Sequence, residues 1–308
     1  MNDTPVRVEI VAPVHNRKDI TLQCLRSLAR LNTTDLDVHI VIVDDGSTDG
    51  TGDAIRLDFP DVEVIHGSSD LWFTEGTNVG VRAALKHDPD FVLMINDDAV
   101  FDSDFLKCMV ETATKCPRSI VGSLLLLWDT PHRLFQVAPV WETAFGGWRH
   151  WYEQTVWTVP DKIWQVDIIV GNCVLLPTAA FLEAGLMDSR SYPNFGDAEF
   201  TPRLKRLGWK LLIEPRARVF CQPNTPPPRV RNMSLKKKLS ALIFDLGNNH
   251  NLLRRFYENL AGAPSKTQGV IAFGVFLAKA MIGKSAKHRN VPEPLLKETF
   301  ASSVVEND

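Results

Sequence analysis

Adjacent acidic residues close two of the apolar runs in this sequence. Asp44-Asp45 follow the β-branched run 38–43, and Asp97-Asp98 follow 91–95 with Asn96 between. A third polar cluster, Pro13-Val14-His15-Asn16-Arg17, closes the first apolar run. Like charges brought together in a fold cost energy unless a cation offsets them, so two such pairs at one place would point to a cation site. The plainer alternative is that Asp and Asn cap helices and organise turns where strands end. Some other chemistries are unsupported. No G-x-G-x-x-G follows the first apolar run and no P-loop lysine pattern occurs. Residues 45–50 imitate the start of a calcium loop, but its twelfth position is Arg56 where a bidentate Glu is required.

The elements that must position these residues alternate in type. Val6–Val14 reads as a strand, and Ile20, Cys24, Leu25, Leu28 and Leu31 recur at helical spacing after it. Residues 38–43 form a second strand, and a turn at 45–52 leads to a short helix. A third strand at 62–65, a helix at 77–86 and a strand at Phe91–Ile95 follow. This alternation predicts an α/β fold with a mostly parallel sheet covered by helices on both faces. Ligands of such sheets lie at the carboxyl ends of the strands, where all three polar clusters fall.

Five stretches stand in one register over residues 6–222: 12–17, 41–51, 76–80, 93–98, and 195–200 with Arg203 and Gly208 after it. They resemble the inverting nucleotide-sugar glycosyltransferases of family 2, which have the GT-A fold, a Rossmann-like sheet flanked by helices. The segment 71–78 is most similar to a rhamnosyltransferase-like branch. The resemblance implies a nucleoside-diphosphate sugar donor, dTDP- or UDP-linked, and a Mg²⁺ or Mn²⁺ ion. Asp98 is the implied metal ligand and Asp97 the implied contact to ribose or sugar. Pro13, His15, Asn16, Arg17, Asp44, Asp45, Gly76, Asn78 and Asn96 complete the implied donor site, with Asp44 or Asp45 on the base edge. Such an ion offsets the charge that grows on the diphosphate as the glycosidic bond breaks. Inversion also needs a base for the acceptor hydroxyl, and the resemblance assigns it to Asp197. Glu199 is the rival, although its i,i+4 spacing to Arg203 also suits a helix ion pair. Two positions depart from the family: Gly196, where an acidic residue is common, and Cys221, near where a metal-binding His stands. Thr201-Pro202 disfavours a helix running through Asp197, which puts Asp197 on a loop before it.

Six of the eight tryptophans fall between positions 128 and 164. Indole faces stack on sugars but also fill cores. Trp148 and Trp151, beside Gly146-Gly147, are the candidates for an acceptor platform, with Asn172 as a further contact. After the proline run 223–228, residues 235–260 carry apolar residues at helical spacing, and 269–282 are strongly apolar but too short to span a bilayer.

The chain thus divides into a catalytic domain, 1–228, and a helical extension, 229–308. The former comprises a nucleotide-binding half, about 1–100, and an acceptor-binding half, 101–228. The overall net charge of −3 argues against a nucleic-acid binder. It hides a split: residues 1–228 carry 21 basic and 31 acidic side chains, and residues 229–308 carry 13 and 6. The basic extension fits either an anionic membrane surface, where lipid-linked acceptors reside, or a docked helical pair or second subunit. Five scattered cysteines without C-x-x-C spacing fit a reducing compartment. A cytoplasmic protein with peripheral contact at the inner membrane face is expected. The leading reading is a metal-dependent inverting glycosyltransferase with a saccharide or lipid-linked saccharide acceptor, in glycan or polysaccharide biosynthesis. Two rivals are a sugar-1-phosphate nucleotidyltransferase, which would need a glycine-rich loop after the first strand, and a non-catalytic scaffold.

Overall fold

The computed structural model describes residues 4–151, 154–222, 234–244 and 251–282. The first half is a strand–helix alternation: β1 (Val6–Val14), α1 (Lys18–Leu28), β2 (Leu36–Asp44), α2 (Thr51–Asp58), β3 (Glu63–His66), α3 (Trp72–Ala84) and β4 (Phe91–Ile95). A 3₁₀ turn, Leu85–His87, extends α3. β5 (Ala99–Phe101), α4 (Phe105–Lys115), β6 (Ser119–Leu127), β7 (Leu134–Glu142), β8 (Gly147–Trp151) and β9 (Trp164–Gln165) follow. Then come β10 (Cys173–Pro177), α5 (Thr178–Ala184), α6 (Gly196–Arg206) and β11 (Lys210–Cys221). Of the extension, α7 (Leu235–Leu239) with a π-turn at Ser240–Phe244, α8 (Leu252–Gly262) and α9 (Lys266–Ile282) are described.

The main sheet runs β3-β2-β1-β4-β10-β6-β11-β5. β1, β2, β3 and β4 are parallel, β10 enters antiparallel between β4 and β6, and β6 and β11 are parallel again. The carboxyl end of β4 therefore meets the start of β10, as the Ile95–Cys173 pairing records. Alternation along β1 sorts the core into two layers. Val8, Ile10, Ala12 and Val14 face the layer that holds Leu22, Leu25 and Ile55, while Val11 faces the layer that holds Val81.

Helix α3 lies along β1 at unusually close range. A Cβ on Gly76 would stand 2.9 Å from Pro13 Cβ, and one on Gly80 would collide with Val11 Cγ1. The absence of side chains at these positions lets the two backbones approach. The helix begins at Trp72, five residues before the periodicity suggested, because its first turn is anchored from outside by polar groups that apolar spacing does not reveal.

The helices α8 and α9 pack on the sheet domain. Tyr192 Oη donates to Tyr257 O at 2.9 Å, Arg206 donates to Ala261 O, and Lys279 Nζ donates to Phe145 O at 3.0 Å. Leu253, Val270 and Ile271 remain exposed. Among the described residues no helix is long and apolar enough to cross a membrane. The proline run at 223–228 and the basic residues Lys284, Lys287 and Arg289 lie outside the described residues.

Candidate active site

At the carboxyl end of the parallel strands lies a cavity of about 350 Å³, a size suited to a small ligand. Pro13, Val14, His15 and Arg17 contribute from the end of β1, Asp45 from β2, and Asn96 and Asp97 from β4. Ser69, Asp70, Trp72 and Phe73 close it from the β3–α3 connection.

The β1 and β2 ends are stitched together. Asn16, at φ 50°, donates its N–H to Ser47 Oγ at 2.9 Å, and its Oδ1 accepts from Thr48 N at 2.7 Å. His15 Nδ1 lies 2.7 Å from Asp45 O, which requires the proton on Nδ1 and leaves Nε2 to accept from Asn16 Nδ2 at 3.0 Å. Asp45 spends its carboxylate on the next loop. Oδ1 accepts from Ser69 N at 2.8 Å, and Oδ2 from Leu71 N at 3.0 Å and Trp72 N at 3.3 Å. Those bonds hold Ser69 and Trp72 at positive φ, a strained state for an L-residue with a side chain. Trp72 is 58% exposed and lines the cavity.

At the end of β4 a single guanidinium serves two acids. Arg17 Nη1 donates to Asp97 Oδ1 at 2.9 Å and to Asp98 Oδ2 at 3.1 Å, while Thr21 Oγ1 donates to Asp97 Oδ2 at 2.8 Å. Burial pushes the Asp97 carboxyl above its usual range, with Arg17 opposing. Burial also works against the Arg17 charge, but the two carboxylates outweigh it and hold the guanidinium protonated. Asp98 Oδ1 and Asn96 Oδ1 are buried with no hydrogen-bond partner. Two uncommitted hard oxygens beside a cavity are the donor set that Mg²⁺ or Mn²⁺ prefers, so the residues fit such an ion. Cys221 does not extend that set. Burial pushes its thiol far up, which keeps it a neutral, inert group.

Asp197 lies in the first turn of α6, tied to segments that adjoin the cavity residues Asn96 and Phe73. Its Oδ2 accepts from Gly171 N at 2.8 Å, and the adjacent Asn172 O accepts from Asn96 N at 3.1 Å. Gly196 N donates to Thr74 Oγ1 at 3.0 Å, next to Phe73. Burial raises the Asp197 carboxyl above its ordinary range, while the Gly171 and Ala198 N–H groups pull it down. Glu199 is fully engaged: Arg203 Nε and Nη2 meet its two oxygens at 2.6 and 3.0 Å.

Several expectations need correction. Asp197 is inside the helix, because α6 continues through Pro202 with Phe200, Thr201 and Leu204 buried beneath it. Asn78 is buried away from the cavity, spending its amide on Glu75 and on both backbone groups of Met187. Gly76 packs on Pro13 instead of facing the cavity. Asp44 turns toward its own loop, where Oδ1 accepts from Ser47 N at 3.0 Å. Trp148 is no platform: it is buried edge-on to Trp141, and a Cβ on Gly262 of α8 would stand 2.5 Å from its indole Nε1. The side chain of Trp151 lies outside the described residues. Gly196 is glycine for packing, since a Cβ there would be 2.8 Å from Met187 Sδ.

Some cavity and site residues escaped the sequence reading. Trp72 and Phe73 stood in a segment, 71–78, read only as a branch signature, and Ser69 and Asp70 were given no role. The extension supplies Arg254, stacked on Phe195, and Glu258, whose charge acts on Asp197. Nothing in the sequence tied these to position 197.

The description "Glycosyl transferase family 2" matches residues 9–129, and that segment belongs to the family. An N-acetylglucosaminyl-diphospho-decaprenol L-rhamnosyltransferase of Mycobacterium tuberculosis is 24% identical over 217 residues, covering 63% of this chain and 70% of the relative. Among solved structures, GalNAc-T7 with UDP, GalNAc and Mn²⁺ matches 94% of this chain at TM-score 0.60 and 14% identity. This chain spans 59% of that protein. A mannosyltransferase from Pyrobaculum calidifontis, in complex with GDP-Man and Mn²⁺, matches 98% of this chain and 81% of its own at TM-score 0.52 and 16% identity. These likenesses show the GT-A fold.

Asp45 carries the loop that holds Trp72, so Asp45→Ala strands three amide N–H groups. Unfolding in urea should report a loss of about 1–3 kcal/mol, and limited proteolysis should cut first within residues 67–72.

Proposed function

This glycosyltransferase, we propose, moves a sugar from a dTDP- or UDP-linked donor to a saccharide or lipid-linked saccharide, with inversion and with Mg²⁺ or Mn²⁺. The observation that carries the reading is the pair of buried, unpartnered oxygens on Asn96, which lines the cavity, and on Asp98, which shares Arg17 with the cavity residue Asp97. Asp98 and Asn96 would hold the ion, which when bound acts as a Lewis acid toward the leaving diphosphate. Pro13, His15 and the exposed Trp72 offer surfaces for the base and sugar, and Asn16 keeps the His15 ring oriented. Arg17 is about half exposed, so its guanidinium can meet a phosphate without leaving Asp97.

In a single displacement the acceptor oxygen forms a bond to the anomeric carbon while the bond to the diphosphate oxygen breaks. The acceptor proton passes to Asp197, and the electron pair of the broken bond leaves on the diphosphate. Asp197 suits this work because burial makes it a stronger base than an exposed aspartate. Glu199 is the weaker candidate because both its oxygens already serve Arg203.

The mycobacterial relative is named for a diphospho-decaprenol acceptor. Here α9 exposes Val270 and Ile271, and Lys236 and Lys237 lie exposed near Leu239. An apolar surface with cations nearby suits peripheral contact with an anionic bilayer.

Four experiments test the reading. In calorimetry, Asp98→Ala should abolish the Mn²⁺-dependent part of nucleoside-diphosphate binding; unchanged binding would remove the metal assignment. Asp197→Asn should keep donor affinity while lowering transfer by roughly 10²–10⁴-fold. Asp197 must be ionised to accept the proton, and burial raises its pKa. The acid limb of kcat/KM in the wild-type protein should therefore lie above the pH at which an ordinary aspartate titrates, and activity should rise with pH through it. The double variant Val270→Glu with Ile271→Glu should reduce co-sedimentation with phosphatidylglycerol vesicles, and undiminished pelleting would assign those residues no membrane role.

A further inference from the structure

A second cluster of metal-binding side chains stands on the same sheet, upstream of the active-site edge. Glu9 lies in the middle of β1, and His39 is its direct partner across the β1–β2 pairing. His87 ends the 3₁₀ turn that follows α3, the helix whose Gly76 and Gly80 pass over Pro13 and Val11. The close approach of α3 to β1 thus delivers His87 to Glu9. Glu9 Oε1 lies 3.0 Å from His87 Nδ1 and 3.4 Å from His39 Nδ1.

This arrangement is unbalanced as a set of hydrogen bonds. Both imidazoles crowd one oxygen, while Glu9 Oε2 is buried with no partner, on a side chain only 5% exposed. A buried carboxylate ordinarily has donors on both oxygens or a cation beside it. The spacing suits a cation: atoms bound at about 2.0–2.1 Å to a tetrahedral ion stand roughly 3.3 Å apart. One ligand atom from each of the three side chains lies within 4.8 Å of the other two. Glu63 Oε2 sits 3.8 Å from the far nitrogen of His87, beyond hydrogen-bond range but adding a negative charge beside that ring. The rings of His39 and His87 are 64% and 41% exposed, which leaves an entry path and a water position.

We propose that Glu9, His39 and His87 form a second cation site, separate from the catalytic edge, for a divalent transition ion of the zinc class. Two imidazoles and one carboxylate are a zinc set, in contrast to the oxygens of Asn96 and Asp98. The ion would tie β1, β2 and the end of α3 together, which makes its role structural. Nothing in this assignment depends on the sugar-transfer reading.

The test is calorimetric titration of chelator-stripped protein with Zn²⁺, carried in the Asp98→Ala background to silence the other site, with thermal unfolding in parallel. Binding of about one ion per chain and a rise in Tm on zinc addition are expected. His39→Ala and His87→Ala, both at accessible positions, should each weaken zinc binding by at least about 10-fold and remove the Tm rise. Absence of zinc binding in the Asp98→Ala protein, or binding that both histidine variants leave unchanged, would overturn the proposal.

Discussion

Two carboxylates sharing one guanidinium at the end of β4 set the terms for the rest of this structure. Asp97 is buried and Asp98 nearly so, and the pair can be tolerated because Arg17 reaches both from the start of α1. That contact fixes the β1–α1 turn, since Arg17 must leave the strand at the right angle. The turn in turn needs Asn16 in a left-handed conformation, stabilised by Ser47 and Thr48 from the end of β2. Gly46, at φ 70°, lets that same turn press against Ser69, where any Cβ would collide with the Ser69 hydroxyl. Asp45 then gathers the amides of residues 69–72. The cavity follows from that one electrostatic constraint, passed along three loops by hydrogen bonds.

The other wall is built by packing. Helix α6 is drawn to α3 by the Gly196–Thr74 contact and to the β10 entry by Asp197–Gly171. Helix α8 then closes over it, placing Arg254 on Phe195 and Glu258 within electrostatic reach of Asp197. A carboxylate in such a setting is desolvated yet held by amide N–H groups, and the balance leaves it a stronger base than a surface aspartate. The extension therefore bears on the setting of Asp197 through α6, whatever its outer face meets.

How much of this was legible in the sequence follows from the range of the forces involved. β1 and β4 were readable to the residue, because aliphatic runs bounded by polar residues register burial locally. The clustering of strand-end acids was readable too, since parallel topology sends carboxyl ends to one edge. Asn78 and Trp148 were not. Their surroundings come from Met187 and from Gly262, more than a hundred residues away in each case. Trp72 was hidden for a different reason: its backbone is left-handed and held by Asp45 from another strand. Cys221 and Gly196 looked like losses of function by comparison with a family pattern. In the structure both are packing choices, one a buried thiol and one a point of contact between helices.

On the proposed reading, the charge at the cavity gives a reason for donor and cation to bind together. Asp45 faces three amides and is compensated by them. That leaves the buried Asp97 and the nearly buried Asp98 against Arg17, an excess of one negative charge at full ionisation, with the exposed Asp70 at the cavity wall. A diphosphate carries charge of the same sign, and a low-dielectric cavity amplifies the repulsion. On that reading, one divalent ion would offset the excess and part of the diphosphate's own charge, turning a site that repels a diphosphate into one that accepts it. The acidic balance of residues 1–228 is therefore informative only at these positions, where burial prevents water from doing the same work.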